Sequence, residues 1–215
     1  MNIFADETVA NTYDSYYETE FGKKVDELER AALLEAIQEV PRGKMLELGS
    51  GTGHWTNFFA EQGFTVTASD VSNAMFAHAH RKLAGRVDFK KADMMNLSIE
   101  SESIENIAVI TALEFVEDQM QAFAQIYRVL KPGGWLIVGC LNADSAIGKS
   151  KADDPVYRHG YFMSKSELET YLESFGTPRI IECVRLSGNS ELLDGTPEAA
   201  LAAGAFLAAC VQKED

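Results

Sequence analysis

The chain lacks the features that would mark a disulfide scaffold, a zinc site, a secreted or membrane protein, or a nucleic-acid binder. Its 215 residues hold three cysteines. That is an odd number with no C-x-x-C pair, which argues against a disulfide framework and a zinc site. Cys140, Cys183 and Cys210 all stand in apolar runs, where free cysteine acts as a small buried hydrophobe. His78 and His80 lie two apart on a helical pattern and do not share a face, so no metal pair is expected. The longest nearly unbroken apolar run, Ala199 to Val211, falls short of the ~20 residues that cross a bilayer. Met1 to Glu7 carries neither a basic nor an apolar signal-peptide region. A cytoplasmic protein without a membrane partner is expected. Positive charge is also scarce, with a net charge of −14. The lysines and arginines are dispersed, so no stripe exists to hold phosphates, and nucleic acid is not an expected partner.

What is present reads as one soluble domain, residues 1–215. Hydrophobic residues make up 46% and charged residues 24%, ordinary proportions for a globular fold, and the length suffices for a proper core. There is no internal repeat or low-complexity segment.

The chain is organised around Met45 to Trp55. Met45 to Leu48 is short and apolar, follows the breakers Pro41-Arg42-Gly43, and reads as a buried strand. Glycines then alternate at Gly49, Gly51 and Gly53, and a helical pattern opens at the last of them. A glycine turn between strand and helix admits a ligand close to the backbone and offers it unpaired N–H groups. A dinucleotide fingerprint, G-x-G-x-x-G, would place a glycine at position 54, but His54 stands there. Glu47 inside the strand end suits a cation better than a pyrophosphate.

Around this stretch, strand and helix patterns alternate. Residues 1–40 form an arm followed by a helix. Tyr13, Tyr16, Tyr17 and Phe21 stand in the arm without a clear helical period. From Gly22 to Val40 an apolar face runs through Val25, Leu28, Ala32, Leu33, Ala36, Ile37 and Val40. Phe64 to Asp70 is a second strand, and Ser72 is a candidate N-cap for the next helix. Asp70, 19 residues after Gly51, is placed to accept both hydroxyls of a ribose. Arg86 to Ala92 is a third strand and Ile104 to Ala112 a buried fourth. Glu117 to Leu130 is a helix with Met120, Phe123, Ile126, Tyr127 and Leu130 inward. Lys131-Pro132-Gly133-Gly134 stops it, and Trp135 to Leu141 is a fifth strand. Residues 142–163 make a long polar loop, a length usually functional or disordered. Ser164-x-x-Glu167 is a capping box. Arg179 to Leu186 is a strand, Ser187 to Glu198 a turn region, and Gly204 to Lys213 a last strand whose alanines leave a helix open. The alternation predicts an α/β, Rossmann-like, doubly wound sheet.

Glu47-Leu48-Gly49-Ser50-Gly51-Thr52-Gly53 resembles motif I of the class I S-adenosylmethionine-dependent methyltransferases. Asp70, Asp93-Met94 and Leu130-Lys131-Pro132-Gly133-Gly134 are similar to later motifs of that family in the same order. The whole is closest to its type 11, ubiquinone-biosynthesis-like group of small-molecule enzymes. The resemblance implies seven strands, mostly parallel with the last antiparallel. It implies S-adenosyl-L-methionine as cofactor, held by Glu47, Gly49, Ser50, Gly51, Gly53, Asp70, Val71, Asp93, Met94 and Thr111. Asp93 would accept the adenine amino group, with Met94 near the ring. The arm, through Tyr13 and Tyr17, and the loop 142–163, through His159 and Tyr161, would cover a small-molecule acceptor. No metal is implied. The family often carries a histidine where this chain has Phe115, so His159 is left as the candidate base. The readings left beside methyl transfer are an NAD-type Rossmann oxidoreductase and a non-catalytic S-adenosylmethionine-binding regulator. The glycine missing at 54 and the lack of a substrate domain count against the first. The lack of an obvious base keeps the second.

Overall fold

A computed structural model describes residues 3–193 and 195–214. The extreme ends of the expected domain 1–215, and one position of the expected turn region 187–198, lie outside the described residues. Two short helices and a long one lead in: α1 (Glu7–Thr12), α2 (Ser15–Glu18) and α3 (Glu20–Ala36). Then follow β1 (Lys44–Leu48), α4 (His54–Glu61), β2 (Thr65–Asp70), α5 (Asn73–Leu83), β3 (Asp88–Lys91), β4 (Ile104–Ile110), α6 (Gln119–Val129), β5 (Leu130–Leu141), α7 (Ala146–Ser150), α8 (Lys165–Glu173), β6 (Arg179–Arg185) and β7 (Gly204–Gln212). The strands form one seven-stranded sheet in the order β3-β2-β1-β4-β5-β7-β6. β1 to β5 pair in parallel, while β7 runs antiparallel to both β5 and β6. This is the doubly wound sheet the alternation predicts.

The strand order reverses between β1 and β4. That switch point is where open α/β sheets bind ligands, beyond the carboxyl ends of their strands. β1 can sit there because four of its five residues are buried, as both faces of a central parallel strand require. One face packs on α3 and α4 through Leu33, Ile37, Phe58 and Phe59. The other packs on α6 and α8 through Ile126, Val129, Leu168 and Leu172. The alanine-rich end of the chain is a strand because it lies between β5 and β6, with Ala208 and Ala209 fully buried. Among the described residues, no helix is long and apolar enough to cross a membrane.

Several expected bounds shift for local reasons. The arm is helical: Asp6 accepts from Thr8 N and caps α1, and Thr19 accepts from Gly22 N and caps α3. α3 ends at Ala36, before Val40. Met120 is 67% exposed, because Asp118 caps α6 and puts Met120 in the first turn. That turns it off the face made by Ala122, Phe123, Ile126 and Val129. Lys131 to Gly134 does not separate helix from strand: β5 starts at Leu130, and its pairing with β4 slips between Ile104 and Asn106 to absorb the insertion. The loop 142–163 is not structureless. An Asn142–Met163 bridge ties its ends, and α7 and two 3-10 turns fill it. The capping box forms as expected, with Ser164 and Glu167 bonding reciprocally.

Gly139 in β5 tests how closely these layers pack. A Cβ there would stand 2.5 Å from Phe206 Cζ and 2.9 Å from Ile110 Cγ2. Gly139→Ala should lower stability by about 1–3 kcal/mol, the usual cost of overpacking. Urea unfolding of the two proteins, with an unchanged m-value, would verify it.

Candidate active site

The loop after β1 is built by distinct demands at each glycine. Gly49 N and Ser50 N both donate to Ser69 O, at 2.8 and 2.9 Å, which lashes the loop to β2. Gly49 has φ +74, and a Cβ there would lie 2.4 Å from Ala112 Cβ, so this glycine lets the loop touch the exit of β4. Gly51 has φ +55 and open space where a Cβ would stand. Gly53 begins α4 against Leu83 and Ala79 of α5.

Asp70 closes the loop from the side. Its Oδ2 accepts from Gly51 N at 2.8 Å and its Oδ1 from Ser72 N at 2.7 Å. Burial raises its pKa, and the backbone N–H groups of Ser72, Gly51 and Val71 oppose the rise. A carboxylate has about four acceptor sites, so two bonds leave capacity for a ligand. Ser72 Oγ accepts from Met75 N, capping α5, and donates to Phe4 O.

Beyond these strand ends lies a cavity of about 470 Å³. Ten residues expected at the site line it: Gly49, Ser50, Gly51, Asp70, Val71, Asp93, Met94 and Thr111, with Tyr13 and Tyr17 of the arm. Among the described residues, Ser50 Oγ and Trp55 Nε1 are buried there without a hydrogen-bond partner. Asp93 Oδ1 accepts from Met95 N at 2.9 Å, fixing the turn after β3. Glu47 and Gly53 do not line the cavity. Glu47 lies beneath the loop, where its Oε2 accepts from Thr56 Oγ1 at 2.5 Å. Burial pushes its pKa up to about 8, aided by the charge of Asp70 and opposed by the Thr56 bond.

The arm is fastened over this cavity. Thr52 Oγ1 of the glycine loop donates to Asp14 Oδ1 at 2.6 Å, and Lys82 of α5 pairs with Asp14. Tyr17 stacks on His54 with centroids 3.7 Å apart and planes within 6°. His54 Nε2 meets Asp26 Oδ1 at 2.7 Å, and Arg30 Nε donates to Asp26 Oδ2 at 2.7 Å. His54 therefore holds the arm as well as bordering the cavity.

A second cavity of about 260 Å³ adjoins the first. Phe4, Tyr13, Tyr17, Thr111 and Phe115 line both. Thr12, Tyr16, Glu29, Asp154 and Tyr157 complete its polar wall. His159 and Tyr161 line neither cavity. Tyr161 is 57% exposed and donates its hydroxyl to Glu167. The 3-10 turn Tyr157–His159 turns Tyr157 inward and leaves His159 exposed. Glu29 went unnoticed in the sequence, although it stands four residues from both Val25 and Leu33 on the apolar stripe of α3. An acid at that register was the available signal.

Three buried carboxylates make stability depend on pH. Burial is the main cause for each: Glu29 and Glu47 are pushed to about 8 and Glu114 to about 7. Above its unfolded value near 4.5, each binds more protons folded than unfolded, so stability falls with rising pH. The ligand-free protein should be most stable near pH 5 and lose stability steadily to about pH 8. Thermal melts should drop about 2–4 °C for each kcal/mol lost. Glu47→Gln, which keeps the Thr56 contact, should flatten the profile.

Comparison with known proteins agrees with this geometry. The family described as "Methyltransferase domain" matches residues 46–138. Demethylmenaquinone methyltransferase of Clavibacter sepedonicus is 33% identical over 53% of this chain and 47% of its own length. The chain thus spans about half of that relative. An uncharacterized protein of Methanocaldococcus jannaschii is 30% identical over 79% of this chain and 82% of its own. A Thermotoga maritima structure, described as a SAM-dependent methyltransferase and "possible histamine N-methyltransferase", superposes with a TM-score of 0.74 at 24% identity, covering 98% of this chain and 99% of that one. These matches displace the NAD-type oxidoreductase reading. Residues 46–138 of the chain carry the methyltransferase domain of the S-adenosylmethionine-dependent methyltransferases.

Proposed function

We propose that the chain holds S-adenosylmethionine in the larger cavity and a small organic acceptor in the smaller one, with methyl transfer across their common wall. The observation that carries this is that wall, made by Phe4, Tyr13, Tyr17, Thr111 and Phe115. When bound, S-adenosylmethionine supplies a methyl group already activated by its sulfonium. The residues fit it. Asp70 has free acceptor capacity for ribose hydroxyls, and the unpartnered Ser50 Oγ offers a further bond. Gly51 leaves room at the loop. Asp93 stands ready to accept the adenine amino group, with Met94 and Val71 against the ring. Glu47 and Gly53 act from beneath by positioning the loop.

The chain's own task is then to hold two reactants in line, at ~3–3.5 Å, and to exclude water. The pinned arm serves the second purpose, and the loop 142–163 contributes Tyr157 to the same cover. Thr111 and Val184 both have positive φ, at 49° and 59°, and both line the smaller cavity. β-branched residues in that region cost about 1–3 kcal/mol each and persist at ligand sites where the surroundings enforce them. A cavity of this size under aromatic cover suits a small molecule rather than a polymer. Relatives' names specify small acceptors too, demethylmenaquinone among them.

Two measurements test this reading. Asp70→Ala should weaken S-adenosylhomocysteine binding by about 1.5–3 kcal/mol, the worth of hydrogen bonds to a charged group. Calorimetric titration showing a change under about 0.5 kcal/mol would defeat the assignment. Asp14→Ala removes the tie to both Thr52 and Lys82, and should speed hydrogen exchange across residues 3–18. S-adenosylhomocysteine should slow exchange there in the wild type. Unchanged exchange in both proteins would remove the arm from its covering role.

A further inference from the structure

The smaller cavity is lined by a buried carboxyl side chain that has no hydrogen-bond partner among the described residues. Glu29 is 8% exposed, faces that cavity, and among the described residues receives no hydrogen bond or ion pair. Around it stand Tyr13, Tyr16, Tyr17 and Tyr157, with Phe21 and Phe115. We propose that this cavity selects an acceptor bearing a protonated amine, whose ammonium group pairs with the Glu29 carboxylate among the faces of these aromatic rings. The proposal rests on the methyl-transfer reading and adds to it the class of acceptor.

The chemistry follows from what each group does to a charge. A buried carboxylate without a partner is costly, and a cation beside it removes that cost. Aromatic faces attract an ammonium group, more strongly once water is excluded. The fixed charges nearby have the right sign. Asp26 and Glu114 add negative potential at Glu29, and the one cation acting on it, Arg30, is already bonded to Asp26. The buried Oε2 of Glu114 has no hydrogen-bond partner among the described residues. A neutral guest brings no charge to favour the carboxylate form of Glu29, and an anionic guest would enter a cavity lined by the acids Glu29 and Asp154 with Asp26 and Glu114 behind them. The net charge of −14 also draws cations toward the protein.

One consequence separates this site from an ordinary apolar pocket. Without a guest, burial and the neighbouring acids hold Glu29 at about 8, so at pH 7 it is mainly protonated. An ammonium guest makes the carboxylate form favourable, and the displaced proton leaves to solvent. Binding should therefore release close to one proton at pH 7 and release fewer as the pH rises past 8.

The experiment titrates the full chain, saturated with S-adenosylhomocysteine, with phenethylamine, 2-phenylethanol and 3-phenylpropionate. Each is run by calorimetry at pH 7 in phosphate and in Tris, whose ionisation heats differ. Phenethylamine should bind at least about tenfold tighter than the alcohol, a difference of about 1.4 kcal/mol, and its heat should depend on the buffer. In Glu29→Gln, which resembles the protonated acid in shape and should melt no lower than wild type, both the preference and the buffer dependence should vanish. Equal affinity for amine and alcohol, tighter binding of the carboxylate, or no amine binding overturns the proposal while bound S-adenosylhomocysteine leaves the methyl-transfer reading intact. A buffer-dependent amine preference in a chain that fails to bind S-adenosylhomocysteine supports the cation site and overturns the methyl-transfer reading alone.

Discussion

Two backbone N–H groups, those of Gly51 and Ser72, converge on the carboxylate of Asp70. One belongs to the loop after β1 and the other to the start of α5, so a single side chain sets the spacing of two βα turns. The remaining geometry builds on that spacing. Ser72 reaches Phe4 from its fixed position, Gly51 keeps its open side toward the cavity, and Thr52 is carried to where Asp14 can grip it. Hydrogen bonds to a charged acceptor are among the stronger ones. In this case they spend part of a carboxylate's capacity on the protein and keep the rest free at a strand end.

The interior around this arrangement accepts groups that a purely structural core would avoid. Glu29, Glu47 and Glu114 are each at least nine-tenths buried. Glu47 has Thr56 and Glu114 has Leu141 N, but Glu29 has neither. Burial of ionisable groups weakens a fold unless each finds a partner, and proteins tend to tolerate such losses where binding needs them. The positive φ values of Thr111 and Val184 fall beside the same cavity. Cost and site coincide.

The sheet was legible in the sequence because burial on both faces writes continuous apolar runs, as at Met45 to Leu48 and Ile107 to Ile110. The glycine loop was legible for a different reason: its spacing resembles a known family at Glu47 to Gly53, and Asp70 follows at the matching distance. What the sequence hid was orientation. Alternate glycines look equivalent in a string, yet Gly49 and Gly53 answer to protein packing and Gly51 to open space. His159 and Tyr161 share a stretch with Tyr157, and a 3-10 turn of three residues decides which side chain enters. The arm showed no period because α1 and α2 are six and four residues long, too short for a stripe to repeat. Glu29 was overlooked because an acid on an apolar face reads as an interruption of the core instead of a lining.

Tyr13 and Tyr17 belong to the arm and at the same time to the walls of both cavities. The compartments are therefore not independent rooms with separate doors. If the arm covers the site as proposed, its withdrawal would unseal both together and its return would seal both together. On the proposed reading, a spent cofactor and a methylated product would leave during one opening, and neither could be replaced while the other stayed enclosed. Turnover would then be paced by how often Asp14 lets go of Thr52 and Lys82, a property of the surface of the glycine loop and not of the reacting atoms.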